Sequence, residues 1–330
     1  MDERLWLTNW NSLYIQNDIF FTDAIKPVYV GFKITENCNQ RCSHCWAGKN
    51  LTINHSFDEI IAALNKIKIL NPLHITITGG EPLVHEHWLD ILGYAKKNFP
   101  IVELFTNAVL FSEKSIKKLS SLFGDLDFIQ VSLDGLRTTY KKQRGSDDFQ
   151  KVIDVYELVD SIGITSFSIS PVYPLRRGKK LVSLVDYTQY LHKGKLIEKM
   201  HAKRKSQMNL TVIYPMEVLS EKATYTQEST YFQRFNTDLL HWTIDGRGDI
   251  FHFMDQFIYK ELKVGNIYEN TIEELEANDY TIQKNVLEHS NQGLKCMNCS
   301  LVESCPGFAY AKSYPEIAFS YKRCVFNEKQ

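Results

Sequence analysis

The sequence predicts an α/β fold, a partial (β/α)6 TIM-like barrel followed by a small C-terminal cysteine-rich domain. Two observations lead there. Between residues 28 and 215, six short β-branched or aromatic runs alternate with stretches of helical apolar spacing, the pattern of a parallel sheet with crossover helices. Six such units fall short of a closed eight-fold barrel. The seven cysteines form two groups, with none between Trp46 and Lys295.

Each element has its own signal. VYVGFKIT (28–35) reads as the first strand and runs into the first cysteines. SFDEIIAALNKIKIL (56–70) has helical apolar spacing behind a serine with an acid close after it, a capping pattern. HITITG (74–79) reads as a strand and HEHWLDILGYAKKN (85–98) as a helix. VELFTN (102–107) then precedes the helix SEKSIKKLSSLF (112–123), and DFIQVSLD (127–134) precedes DDFQKVIDVYELVDSIG (147–163). ITSFSISPVY (164–173) and NLTVIYP (209–215) are the last two strands, with a basic amphipathic stretch between them. Residues 216–240 are polar and rich in Thr and Gln, as in a linker. WTIDGRGDIFHF (242–253) reads as a hairpin turning at Asp245–Gly248, and TIEELEAN (271–278) as a short helix before the tail. The expected organisation is an N-terminal extension (1–27), a barrel (28–215), a linker (216–240) and a tail domain (241–330).

Composition excludes several classes. The 330 residues are 44% hydrophobic and 23% charged, a globular balance with ample length for a core. No apolar run reaches the ~18 residues of a membrane span. The N-terminus opens with acids and shows no secretory signal, so a cytoplasmic protein is expected. With 38 basic and 39 acidic residues there is no field to hold a nucleic-acid backbone. An odd number of cysteines in such a chain argues for metal or cluster ligands over disulfides.

Cys38, Cys42 and Cys45 lie on one tight loop after a strand. Three thiolates can hold three irons of a cubane iron–sulfur cluster and leave one iron open to a small ligand. The competing reading is a zinc site with His44 as fourth ligand, but His44 lies between two of the cysteines, where reaching the same tetrahedral centre is difficult. Gly79-Gly80-Glu81-Pro82 follows the second strand; taken by itself it is an ordinary turn.

Together these residues resemble the radical S-adenosylmethionine (radical SAM) family, whose C-x3-C-x2-C loop follows the first strand of a partial (β/α)6 barrel. The resemblance implies a SAM-binding [4Fe-4S] cluster on Cys38, Cys42 and Cys45, and it places Gly79, Gly80, Glu81 and Pro82 at the SAM amino group. Glycines let backbone approach a ligand, and a carboxylate accepts from an ammonium. It further implies SAM contacts from Asn107 at the end of the third strand and from Ser132 and Asp134 at the end of the fourth. Arg144 matches an arginine that pairs with the SAM carboxylate in relatives. His44 occupies the usually aromatic position against which adenine packs.

In the tail, Cys296, Cys299, Cys305 and Cys324 can supply four thiolates to one centre, which in isolation reads as structural zinc. Beside the first motif the tail resembles the SPASM/Twitch extensions of radical SAM enzymes, implying an auxiliary [4Fe-4S] cluster. The full SPASM pattern has a cysteine near Phe253 and Met254 and another near Ala309; both are missing here, so one fully ligated auxiliary cluster is expected.

The resemblance implies reductive cleavage of SAM to a 5′-deoxyadenosyl radical, fed by a flavodoxin- or ferredoxin-type donor. With all seven thiols assigned, no cysteine remains to return a hydrogen atom, which disfavours cysteine-dependent epimerases. Relatives with such tails mostly modify ribosomally made peptides, so oxidative crosslinking of a peptide is the first expectation. Oxidation or epimerisation of a small molecule is the alternative, and a non-catalytic iron–sulfur or zinc protein the second. The first 27 residues, with Trp6, Trp10, Tyr14, Phe20 and Phe21, are read as a cap on the barrel bottom and as too short for a winged-helix leader-binding module. Arg176–Lys180 and Lys203–Lys205 are basic clusters available to an acidic peptide.

Overall fold

The computed structural model describes residues 26–45, 53–134, 136–162, 166–169, 184–204, 209–212, 241–252 and 263–288. These belong to two compact units, one drawn from residues 31–221 with Asp245–Arg247, the other from 1–30, 222–244 and 248–330.

In the first unit, β1 (Tyr29–Lys33) leads through the cysteine loop to α1 (Phe57–Ile69) and β2 (His74–Thr78). A 3-10 turn (Pro82–Val84), α2 (Trp88–Asn98), β3 (Ile101–Thr106), α3 (Glu113–Leu122) and β4 (Phe128–Val131) follow. Then come α4 (Arg137–Arg144), α5 (Phe149–Ile162), β5 (Ser166–Ile169), α6 (Leu184–Ala202) and β6 (Asn209–Val212). The expected capping at Ser56 is a complete box: the Ser56 hydroxyl accepts from the Glu59 N–H while the Glu59 carboxylate accepts from the Ser56 N–H.

Strands β1 to β6 lie in sequential order, and β2 through β6 pair in parallel. A sequential parallel order is the one in which crossovers of the usual right hand place their helices on a single face of the sheet, as in a barrel. Register then sorts the strand side chains into two faces. Ile75, Ile77, Val102, Leu104, Ile129 and Val131 share one face, all fully buried, as a helix-covered face requires. The opposite face carries His74, Thr76, Glu103, Phe128 and Gln130. There the Thr76 hydroxyl donates to Glu103 Oε2 at 2.5 Å, and His74 Nε2 lies 3.3 Å from the same oxygen.

Two helices exceed the expectation from sequence. Residues 137–144, to which the sequence pattern assigns no element, form α4, and the basic stretch before the last strand contains the 19-residue α6. RTTYKKQR offers only Tyr140 as an apolar residue, so apolar periodicity cannot reveal it. Its stop signal was present: Gly145 closes α4 in the left-handed conformation at φ 71°.

In the second unit β7 (His241–Ile244) and β8 (Asp249–Phe251) form the expected hairpin, and β9 (Gly265–Asn266) adds antiparallel to β8. Gly248, at φ 89°, has no room for a Cβ, which would lie 2.3 Å from the Tyr268 ring. The helix expected at 271–278 runs on as α7 (Ile272–Glu288), burying Leu275. The N-terminal aromatics, the 216–240 linker, Arg176–Lys180, Phe253, Met254, Ala309 and the four tail cysteines lie outside the described residues.

Candidate functional site

The cysteine loop is tied to α4. The Ser43 N–H donates to the Gln143 carbonyl at 2.7 Å, and the Ser43 hydroxyl bonds the same oxygen at 3.0 Å. Inside the loop, Gln40 is buried and its Nε2 donates to the Tyr140 hydroxyl (3.2 Å) and to Ser146 Oγ (3.1 Å). The Gln40 N–H points at Cys38 Sγ at 3.4 Å. All three cysteines are free thiols, with Cys42 buried and Cys38 and Cys45 partly exposed. Burial pushes the Cys38 thiol up to about 11 against the pull of the Gln40 N–H, and raises Cys42 against the pull of the Arg144 guanidinium. Thiols held protonated by burial ionise when they gain a cationic partner, as metal binding provides.

The donor set fits a cubane better than a single ion. No group of three His, Cys, Asp or Glu side chains among the described residues is placed to hold one metal ion. A tetrahedral zinc needs its donors on one centre, whereas a cubane takes each thiolate on a separate iron.

Gly79 and Gly80 pass directly beneath the entry to this loop. The Gly80 N–H donates to the Thr35 carbonyl and the Glu81 N–H to the Asn37 carbonyl, each at 2.8 Å. A Cβ on Gly80 would lie 2.4 Å from the Asn37 oxygen, so only glycine permits the approach. The Glu81 carboxylate turns into the protein and is 1% exposed. Its Oε1 accepts from the Thr106 hydroxyl (2.6 Å) and the Leu83 N–H (3.1 Å), and its Oε2 from the Asn107 N–H (2.7 Å). Burial pushes its pKa up to about 7 even so. Asn107 reaches back through Nδ2 to Asn39 Oδ1 at 2.7 Å, closing a circuit between β3 and the cysteine loop.

A second buried group sits beside Cys42. Arg144 Nε donates to Asp134 Oδ2, and its Nη1 lies 3.5 Å from Gln40 Oε1 and 3.8 Å from Cys42 Sγ. His44 Nε2 lies 3.3 Å from the same Asp134 oxygen. Burial disfavours the Arg144 cation, but the Asp134 carboxylate outweighs it and holds the guanidinium charged.

The structure thus gathers Cys38, Cys42, His44, Asp134 and Arg144 into one cluster. Gly79, Gly80, Glu81 and Asn107 form another that shares the loop. Pro82 opens the buried 3-10 turn that carries Leu83 to Glu81. Ser132 is tied to the pair of strands by its backbone, its N–H donating to the Thr106 carbonyl at 3.0 Å. Sequence reasoning missed Gln40, Asn39 and Tyr140. Their one signal is position, inside the C-x3-C loop or on a helix with little apolar content, and residue type adds nothing to it.

Comparison with known proteins gives this site a lineage. The profile of the Radical SAM superfamily matches residues 32–221. Fe-coproporphyrin III synthase of Methanosarcina barkeri is 31% identical over 128 residues, 38% of this chain and 31% of that protein. Sporulation killing factor maturation protein SkfB of Bacillus subtilis is 29% identical over 125 residues, 37% of this chain and 30% of that protein. The chain therefore spans about a third of the length of these curated relatives. Among solved structures, Streptococcus suis SuiB bound to precursor peptide SuiA superposes with a TM-score of 0.64 at 15% identity, over 92% of this chain and 75% of that one, a likeness of fold. A three-thiol loop after the first strand, a glycine pair packed under it and a profile match over more than half of the sequence converge: the chain belongs to the radical SAM superfamily.

Proposed function

We propose that this chain cleaves SAM and oxidatively modifies a ribosomally made peptide, forming a carbon–carbon or carbon–heteroatom crosslink. Superfamily membership implies SAM and one [4Fe-4S] cluster. Cys38, Cys42 and Cys45 are the residues that would hold the cluster, and Gly79, Gly80, Glu81, Pro82, Asn107, Ser132, Asp134, Arg144 and His44 those around SAM. When bound, the pair supplies a 5′-deoxyadenosyl radical able to take hydrogen from an unreactive C–H bond.

The observation that carries this reading is the bracing of the cysteine loop from two sides, by Asn107 through Glu81 and by α4 through Gln143 and Tyr140. Glu81 acts by position: both oxygens accept from the protein, so it fixes the β3 end under the loop. Asp134 holds Arg144, whose remaining donors can meet a carboxylate. A maturation protein among the relatives supports the peptide substrate. A tetrapyrrole synthase of similar identity favours small-molecule oxidation as the second reading. The auxiliary cluster on the tail cysteines, a flavodoxin- or ferredoxin-type donor and a cytoplasmic setting belong to the same proposal.

The test is anaerobic reconstitution with iron and sulfide, then reduction with SAM and short peptides encoded beside the gene. We expect 5′-deoxyadenosine and a peptide product two hydrogens lighter. Cleavage of SAM with no peptide changed, but with a porphyrinogen consumed, would replace the peptide reading by the small-molecule one. A full cluster load without 5′-deoxyadenosine overturns both.

A further inference from the structure

Arg144 stands beside a cysteine of the loop, and its neighbours fix which of its donors faces the sulfur. Asp134 Oδ2 accepts from Nε and leaves Nη1 to other partners. Gln40 Oε1 lies 3.5 Å from Nη1. The Gln40 amide is itself oriented, since its Nε2 donates to the Tyr140 hydroxyl and to Ser146 Oγ. Nη1 is thereby turned toward Cys42 and lies 3.8 Å from its Sγ, within reach of an N–H···S hydrogen bond. Gln40, Cys42, Asp134 and Arg144 are all buried, none more than 8% exposed.

A buried arginine is most simply held by a bidentate clasp on both oxygens of one carboxylate. Here the fork is divided instead, one arm on Asp134 and one on Gln40 and a thiol. Burial raises the Cys42 thiol, and the guanidinium opposes it more strongly than the Asp134 carboxylate reinforces it. A thiol is a weak acceptor; a thiolate on the same atom makes the contact charge-assisted on both sides.

We propose that Arg144, aimed by Gln40 and Asp134, is the charged hydrogen-bond donor to the Cys42 sulfur and sets the reduction potential of the cluster on the three-cysteine loop. The proposal rests on the cluster assigned to Cys38, Cys42 and Cys45, and not on the substrate. Reduction adds negative charge that spreads onto the ligand sulfurs, so a cation bonded to one of them favours the reduced form. In buried surroundings the interaction is strong and salt screens it little. Gln40 is a positioning residue, acting through Arg144. Its backbone N–H, 3.4 Å from Cys38 Sγ, gives a second sulfur a neutral donor that side-chain substitution leaves in place.

The test reads the first cluster by itself, in the full chain carrying Cys296→Ala/Cys299→Ala, reconstituted anaerobically. SAM is omitted, so that a contact of Arg144 with the SAM carboxylate plays no part. Redox titration followed by EPR gives the midpoint potential. Asp134→Leu/Arg144→Met removes both charges together and strands neither. A hydrogen bond to a charged group is worth on the order of tenfold in an equilibrium. The double variant should therefore disfavour the reduced cluster about tenfold, a fall of about 59 mV for one electron. Gln40→Leu keeps the ion pair but releases Nη1 and should lower the potential by less. Proton ENDOR of the reduced cluster should show an exchangeable coupling that the double variant lacks. A potential that stays the same or rises in both variants, with iron retained, overturns the proposal and leaves the cluster in place. If the double variant does not hold iron, Gln40→Leu decides: a fall supports the proposal and no change overturns it. No iron on the three-cysteine loop of the otherwise unaltered protein overturns the cluster reading as well, so the two failures are distinct.

Discussion

At Glu81 burial and hydrogen bonding oppose one another, and burial wins: three donors surround the carboxylate, yet its pKa stands at about 7. The folded protein thus keeps a proton that the unfolded chain, with an ordinary value of 4.5, has released. For a carboxyl raised in this way the stabilisation is complete below the unfolded value and is lost as pH rises through the folded one. The span amounts to about 3 kcal/mol. In urea unfolding of the cluster-free protein, the stability of wild type relative to Glu81→Gln should therefore drop by about 3 kcal/mol between pH 4 and pH 8. A difference that does not move with pH would show that the three donors already keep Glu81 ionised. Arg144 poses the opposite case, a charge that is buried but paired. Arg144→Met strands the Asp134 carboxylate, and breaking a buried pair from one side costs about 3–5 kcal/mol. The His44 ring, 3.3 Å from the same oxygen, places the expected loss near the lower end. The double change Asp134→Leu/Arg144→Met should recover most of it, as chemical denaturation of the four proteins would show.

At the scale of elements, the two glycines of the β2 exit and the glycine inside α2 predict opposite outcomes for the same change. Gly80→Ala drives a methyl into the Asn37 and Glu36 carbonyls, 2.4 and 2.5 Å away, and these residues lead directly into Cys38. A loss on the order of 2–4 kcal/mol and poor cluster retention are expected. Gly93→Ala, in the middle of α2, meets nothing closer than Leu122 Cδ1 at 3.9 Å and should stabilise by about 0.5–1 kcal/mol. Thermal melts and iron retention on desalting check both. The elements differ as much in how far the sequence revealed them. The helix α1 was legible because its cap, its acids and its apolar stripe agree, and each strand from β2 to β4 because one of its faces is a run of Ile, Val and Leu. The helix α4 was not, since its stability comes from contacts that sequence spacing cannot show: Tyr140 under the cysteine loop and Arg144 against Asp134. The same holds for the site. Cysteine and glycine spacing marked the loop and its cradle, while the inward turn of Glu81 and the place of Gln40 depend on which strand ends meet.

Over the whole molecule, the distribution of thiols makes a quantitative demand. The superfamily match ends at residue 221, so it accounts for Cys38, Cys42 and Cys45 and leaves Cys296, Cys299, Cys305 and Cys324 unassigned. Three thiolates serve a cluster that must keep one iron open; four cysteines within one tail match a second cluster or a zinc. The net charge of −1 gives no broad field to gather iron or polyanions, so metal uptake depends on these local donors. Reconstituted protein should then carry about eight irons per chain, and each half of the thiol set should account for about four. Changing Cys38, Cys42 and Cys45 to Ala should leave about four irons and abolish 5′-deoxyadenosine, whereas Cys296→Ala/Cys299→Ala should leave about four with SAM cleavage retained. Iron and zinc analysis of the three proteins, beside a SAM-cleavage assay, distinguishes the outcomes. About four irons plus one zinc in the unaltered chain would make the tail centre structural and remove it as an electron acceptor. That outcome would favour redox-neutral chemistry on the substrate, because a crosslink that releases two hydrogens needs an electron acceptor after the radical has taken the first hydrogen.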